Sequence, residues 1–245
     1  AREHRIRRLP RMGPTKEKNI QKSIERYKKR NMRILFSVAE PIVDAILTYL
    51  EGLEGLEHIT AAGSYRRGKE TVGDIDILAT ASRPEEIVSS FVRMPMVEEV
   101  LAKGPTKASI IVNETIQVDL RIVEHKSYGT VLQYFTGSKE HNVKLRQMAL
   151  DKGYSLSEYS LKRLADGQDL FFDREEDVYK ALGLQYILPE LREDAGEIEA
   201  ARQYKLPELI ELANIRGDLH IHSNWSDGRA SIMDMAKAAL ALGYE

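Results

Sequence analysis

The sequence predicts an α/β (α+β) chain built on one mixed sheet with helices packed against a face. Three observations carry that prediction. Strand-like runs at 75–80, 109–112 and 115–123 alternate with stretches whose apolar residues recur at helical spacing. Each of these runs is short and bounded by turn residues. Asp74 and Asp76 stand two apart where the first run begins, a spacing that puts both side chains on one face of a strand.

In chain order, the first element is a basic arm. Residues 1–33 hold 13 Lys or Arg against 3 Glu, a net of +10, although the whole chain of 245 residues carries only −2. Such an arm on an acidic body suits a polyanionic partner, while a charge run alone also fits a solvated helix face. Arg8-Leu9-Pro10-Arg11-Met12-Gly13-Pro14-Thr15-Lys16 precedes a helical stretch, 17–29, with Ile20 and Ile24 four apart. A glycine turn between two helices leaves N–H groups unpaired at the second helix's start, where the dipole favours an anion. Arg11, Lys16 and Lys18 add charge around Gly13. The arrangement resembles a helix-hairpin-helix element, which grips the DNA backbone without reading bases.

From 34 to 53, Ile34, Leu35, Val38, Ile42, Ile46 and Leu50 fall at helical spacing, and Pro41 predicts a helix start or break near 37–41. A short run at 58–62 leads into a Gly63-Ser64 turn and the basic Tyr65-Arg66-Arg67-Gly68. Residues 82–92 read as a helix opened by Arg83-Pro84-Glu85-Glu86, and 109–112 with 115–123 as a hairpin turning at Asn113-Glu114. After His125 the pattern is helical through 128–150, carries short strands around 154–164, and becomes acidic over 189–211. Residues 217–223 are strand-like and lead into a terminal helix.

Several chemistries are excluded. The chain has no cysteine, so disulfides, thiolate metal sites and cysteine nucleophiles are absent. No apolar run approaches the roughly 20 residues of a membrane helix, and no signal peptide opens the chain. An intracellular, cytoplasmic protein without membrane partners is expected. The start at Ala1 and a last helix still amphipathic at 242–245 read as a piece of something longer, truncated at both ends.

The chemistry centres on Gly73-Asp74-Ile75-Asp76. Asp119, within Val118-Asp119-Leu120, has the same alternation on a second strand. If those strands are neighbours, three carboxylates converge, and their repulsion would be relieved by hard divalent cations bound through oxygen. A decorated solvent-exposed strand is the bland alternative. Ten residues before Asp74, Ser64 follows Gly63 and precedes Arg66 and Arg67. Backbone N–H groups, a hydroxyl and a guanidinium together suit a phosphate.

Gly63-Ser64-Tyr65-Arg66-Arg67-Gly68, Gly73-Asp74-Ile75-Asp76, Val118-Asp119-Leu120-Arg121 and Tyr134-Phe135-Thr136-Gly137-Ser138 resemble the family X DNA polymerases, and most closely the prokaryotic members. The resemblance runs in order from the hairpin to about Leu191. It implies a nucleotidyltransferase palm over 34–125, after the helix-hairpin-helix element of 1–33, and a thumb-like nucleotide-selection subdomain over 126–191. It further implies that Asp74, Asp76 and Asp119 are catalytic and hold two Mg²⁺ (or Mn²⁺) ions. Gly63, Ser64, Arg67 and Gly73 would hold the triphosphate of a deoxynucleoside triphosphate. Tyr134 and Phe135, otherwise ordinary core aromatics, would underlie its sugar, beside a cis Gly137-Ser138 peptide and Asn142. Arg146 and Tyr159 would lie near the template of primer–template or gapped DNA. Lys139 departs from the acidic residue common in eukaryotic members.

His220-Ile221-His222, with Asp227 five residues on, can place two imidazoles on one strand face. Residues 217–228 resemble the first motif of a polymerase-and-histidinol-phosphatase domain, which would begin at 216 after an acidic linker of 192–215. Its zinc or manganese site would be incomplete here, and no phosphoesterase or exonuclease activity is expected of the chain. Nothing in these residues corresponds to the small gap-binding domain with which family members usually begin, so gap recognition and lyase activity are not expected of this chain either. The expected activity is template-directed addition of deoxynucleotides to a primer 3′-hydroxyl, in short-gap repair. The rivals are a nucleotidyltransferase acting on RNA or a small molecule, and a non-catalytic DNA-binding fragment.

Overall fold

The structure is a computed structural model that describes residues 6–10, 12–18, 20–21 and 33–244. The chain divides into two compact units, Ala1–Leu206 and Pro207–Glu245.

In the first unit, Ile6–Arg8 forms a 3-10 turn and residues 14–18 and 20–21 are helical. Buried Glu17 accepts the backbone N–H of Ile6 and of Arg7, which closes the turn around Gly13. Arg11 and the remainder of the anticipated second helix, including Ile24, lie outside the described residues.

Strand β1 (Ile34–Leu35) pairs with β3 (Thr71–Val72), and between them come helix α1 (Phe36–Glu51), strand β2 (Leu56–Ala61) and the one-turn helix α2 (Gly63–Arg66). Helix α1 starts at Phe36, beside the span 37–41 where a start or a break was expected, and runs on through Pro41. Pro41 lies on the exposed side, and the buried stripe Ala39, Ile42, Val43, Ile46 and Leu50 holds the helix on the sheet. Burial of each of Ile42, Val43, Ile46 and Leu50 contributes about 1.5–3 kcal/mol, enough to offset a lost backbone bond.

Strand β4 (Ile75–Ala81) leads to α3 (Pro84–Phe91), β5 (Glu99–Lys103), β6 (Lys107–Val112) and β7 (Ile116–Ile122). Glu85 and Glu86 lie in the first turn of α3, where the helix dipole favours acids. The β6–β7 hairpin turns through Asn113 and Glu114, both at positive φ. The five-stranded sheet has the order β2-β4-β7-β6-β5, antiparallel except for the parallel β4–β7 pair. Its core joins Ile75, Ile77, Val118 and Leu120 to Ile46 and Leu50 of α1 and Ile87 and Phe91 of α3.

Helix α4 (Tyr128–Thr136) packs Val131 and Leu132 against Ala62 and Leu78. A second core follows, built on α5 (Lys139–Asp151), the small sheet β8 (Tyr154–Leu156), β9 (Leu161–Arg163) and β10 (Asp169–Leu170), then α6 (Glu175–Ala181) and α7 (Glu197–Arg202). Leu145, Ala149, Val178, Tyr179, Ile187, Ile198 and Ala201 are buried there. Gly129 permits the close approach of α4, since a Cβ would land on the Arg174 backbone. The stretch expected to be a linker from 192 is part of this core as far as Leu206, because Arg192, Glu197, Ile198 and Ala201 are buried in it.

In the second unit, residues 217–223 are irregular and not strand, with no sheet partner among the described residues. Helix α8 (Ile232–Ala241) is capped by Ser231, whose hydroxyl accepts the Asp234 N–H at 3.1 Å. No described residue of this unit is buried. Among the described residues of the chain, no helix is long and apolar enough to cross a membrane.

Candidate active site

Alternation along β4 and β7 fixes the carboxylates. Ile75 and Ile77 of β4, and Val118 and Leu120 of β7, turn into the core and leave Asp76, Gln117, Asp119 and Arg121 half-buried on the other face. Because β4 and β7 are parallel with Asp76 opposite Asp119, the two carboxylates are neighbours on one face. Asp74 lies in the bend just before β4 and not within it, as the two-apart spacing had suggested. A cleft of about 480 Å³ opens over this face, lined by Asp76, Asp119, Arg121, Phe135, Lys103 and Lys107.

Burial, then the carboxylates of Asp74 and Asp119, push the Asp76 carboxyl up to about 7, with Arg121 pulling it down. The three acids do not close on one point. Gln117 donates to Asp119 Oδ2 at 2.7 Å and holds that carboxylate along its strand. Among the described residues no three carboxylate or imidazole groups are placed to hold one ion between them. The donor set itself fits a divalent metal ion: every ligand is a hard oxygen, and repulsion among the acids leaves negative charge for a cation to neutralise.

Gly63 sits against this site at φ +62°, and a Cβ there would lie 2.7 Å from Asp76 Oδ2. Only glycine admits both the backbone turn and the neighbouring carboxylate. Ser64 occupies the first turn of α2, half-buried, and Gly73 lies in the bend beside Asp74. Arg67, at the end of α2, donates from Nη1 to the Thr136 carbonyl at 2.6 Å and from Nε to Glu193 at 2.7 Å.

Tyr134 and Phe135 close α4 with ring centroids 5.1 Å apart and planes at 83°. The Arg146 guanidinium lies 5.0 Å over the Tyr134 ring and that of Arg121 lies 4.6 Å over Phe135. The Gly137–Ser138 peptide is cis, as the resemblance implies. Asn142 is already engaged, donating to the Tyr134 carbonyl and accepting from Gln133 Nε2, each at 2.7 Å. Exposed Tyr159 lines a second cleft of about 370 Å³ with Arg121, Lys107 and Lys126.

Gly13, Lys16 and Lys18 lie at the N-terminal turn and helix. In the second unit, the His220 and His222 Nε2 atoms are 3.0 Å apart and His222 Nδ1 meets the Asp227 carboxylate.

Sequence reasoning assigned no role to Gln117, Lys103, Lys107 or Arg121. The period of two was the available signal, since 117, 119 and 121 share a face and Lys107 pairs with Arg121 in register. It also missed the buried ion cluster of the second core. Glu175 receives both guanidinium arms of Arg66, at 3.0 and 2.9 Å, together with Arg192 Nη1. Burial opposes ionisation of Glu175, yet the Arg192 and Arg66 guanidiniums outweigh it and hold the carboxyl at about 2. Arg66 also donates to Thr136 Oγ1 at 2.7 Å, and Ser138 N–H bonds the Arg192 carbonyl at 3.0 Å, so this cluster anchors both sides of the Gly137 turn.

Known proteins are similar to this chain over all or part of its length. A DNA polymerase beta palm model matches residues 37–148 and a DNA polymerase beta thumb model matches 131–193, overlapping across α4 and α5. The DNA polymerase/3′-5′ exonuclease PolX of Bacillus subtilis (strain 168) is 36% identical over 245 residues, which cover 99% of this chain and 43% of that protein. DNA polymerase lambda of Rattus norvegicus is 29% identical across 54% of this chain and 28% of its own length. Repair DNA polymerase X of African swine fever virus (isolate Pig/Kenya/KEN-50/1950) is 27% identical across 56% of this chain and 82% of its own length. The chain thus spans less than half of the Bacillus and rat relatives. With the palm and thumb matches running unbroken from 37 to 193 and the aspartates paired across β4 and β7, the chain belongs to the family X DNA polymerases.

Proposed function

We propose that the chain catalyses template-directed DNA synthesis, in which a primer 3′-hydroxyl attacks the α-phosphate of a deoxynucleoside triphosphate and pyrophosphate leaves. Gapped or primer–template DNA is its polymer substrate, and filling short gaps in repair is its setting. The observation that carries this reading is the parallel register of Asp76 against Asp119, with Gly63 packed on the Asp76 carboxylate.

Asp74 and Asp76 would hold two magnesium (or manganese) ions, and Asp119 would hold one of them. Bound there, the ions supply charge neutralisation at the phosphates and lower the pKa of the attacking hydroxyl. The rest falls to the chain's own groups. Ser64, Arg67 and the backbone near Gly63 and Gly73 receive the β- and γ-phosphates, Arg67 exchanging its bonds to Thr136 and Glu193 for phosphate oxygens. Tyr134 and Phe135 form the floor beneath the sugar, and Asn142 turns from the Tyr134 carbonyl to the nucleotide. Arg11, Gly13, Lys16 and Lys18 grip the DNA backbone, and Arg146 and Tyr159 face the template. Catalysis then rests on positioning and electrostatics, with no covalent intermediate on the protein.

Primer extension on gapped DNA tests the reading. Magnesium-dependent addition of the templated deoxynucleotide, with ribonucleotides disfavoured, is the expected result. Untemplated addition, or transfer to RNA alone, would replace it with a different nucleotidyltransferase.

A further inference from the structure

Away from the aspartates, the fold brings two other histidines together. His58 stands on β2, an edge strand of the sheet, and His125 opens the 3-10 turn His125–Ser127 that leads from β7 into α4. They are 67 residues apart in sequence, and both are exposed. Their Nε2 atoms nevertheless face each other at 3.2 Å, with ring centroids 5.1 Å apart and planes at 53°. The Tyr128 ring packs 5.6 Å from that of His58, and its hydroxyl is held 2.7 Å from Thr60 Oγ1. One side of the pair is therefore braced by the strand that carries it.

Two imidazole nitrogens that face one another can share a proton or share a metal ion. A straight N–H···N bond of this length would hold the ring centres about 5.5 Å apart. Two imidazoles on one tetrahedral ion, at about 2.0–2.1 Å each, put the nitrogens about 3.4 Å and the ring centres about 5.2 Å apart. The observed 3.2 and 5.1 Å lie close both to a bent N–H···N bond and to the two-imidazole arrangement, so little movement separates the pair as it stands from one that shares an ion. We propose that His58 and His125 form a two-imidazole binding site for zinc, with water in the remaining coordination positions. Among the described residues no third imidazole or carboxylate completes the set, so the site is open to solvent. Imidazole nitrogen favours zinc over magnesium, which separates this site chemically from the oxygen-only aspartates. A bound ion would fasten the edge of the first sheet to the turn that leads into α4.

Zinc titrated into the ¹⁵N-labelled full chain, in excess magnesium and followed by long-range ¹H–¹⁵N spectra of the imidazoles, resolves each histidine separately. The expected result is that the His58 and His125 Nε2 resonances move together to metal-bound positions. The His125 shift should vanish in His58→Gln, and the His58 shift in His125→Gln. Two unmoved nitrogens at millimolar zinc, or one that still shifts in full when the other histidine is gone, would overturn the site.

Discussion

Asp76 and Glu175 are both acids drawn out of water, and their surroundings drive them in opposite directions. Asp76 faces two other carboxylates, with Arg121 as a partial offset, and its carboxyl is pushed up to about 7. Glu175 is more deeply buried, 3% exposed, yet two guanidiniums hold its carboxyl at about 2. Burial acts the same way on both; the sign is set by the neighbours. Within one unit, the acid left short of positive charge faces a cleft and the compensated acid is sealed in the second core. That contrast separates the acids proposed to receive cations from the acid that holds the second core together.

The contrast can be broken most decisively at the palm. Asp119→Ala should lower nucleotide incorporation by about a hundredfold to a thousandfold while leaving thermal stability and DNA affinity near those of the parent. A comparable loss of stability would mean that the palm acids are structural. Next in size, Glu175→Ala leaves the Arg192 guanidinium buried without its carboxylate and should cost about 3–5 kcal/mol of unfolding free energy, read from urea denaturation.

The pH response sharpens the same point. Glu175 has a folded value of about 2, below its ordinary 4.5. Its contribution is therefore full above about 4.5 and is lost as pH falls towards 2, amounting to about 3 kcal/mol. Urea midpoints between pH 6 and 2.5 should fall in the parent and fall less steeply in Glu175→Gln. The smallest effect is expected at Lys144, whose bonds to Asp194 and Glu199, 3.0 and 2.9 Å long, lie at the surface. Lys144→Ala should cost about 0–1 kcal/mol, because solvent screens exposed pairs. A larger loss would show that burial is not what separates strong ion pairs from weak ones here.

The sheet and its aspartates were readable because period-two alternation is a local signal. Ile75 and Ile77, and Val118 and Leu120, announce which face is core, and so which face carries Asp76 and Asp119. Edge strand β5 was not readable, since only one of its five residues is even partly buried and little periodicity is imposed on it. Pro41 marked a helix start that falls at Phe36, and the helix continues past it because core packing along α1 outweighs the local penalty of proline. The span from 192 looked like a linker because its charges are conspicuous. That Arg192 reaches Glu175, and Glu197 reaches His141 at 2.7 Å, depends on contacts 17 and 56 residues distant. Nothing local encodes those partners. Gln117 differs, because its two-residue spacing from Asp119 already puts both on one face, and only the hydrogen bond between them needed the structure.

The in-step pairing of β4 with β7 has a consequence for how this protein can change. Side chains on a strand switch faces with every residue, so deleting one residue between the hairpin turn and Asp119 would rotate that acid inward and expose Leu120 instead. Point replacements along β7 leave the phase intact, whereas any odd-numbered gain or loss inverts it. Length variation among descendants of this chain should therefore accumulate at the 113–115 loop in ways that preserve parity downstream, and reading-frame-preserving indels of one codon inside β7 should be purged far more stringently than substitutions at the same positions.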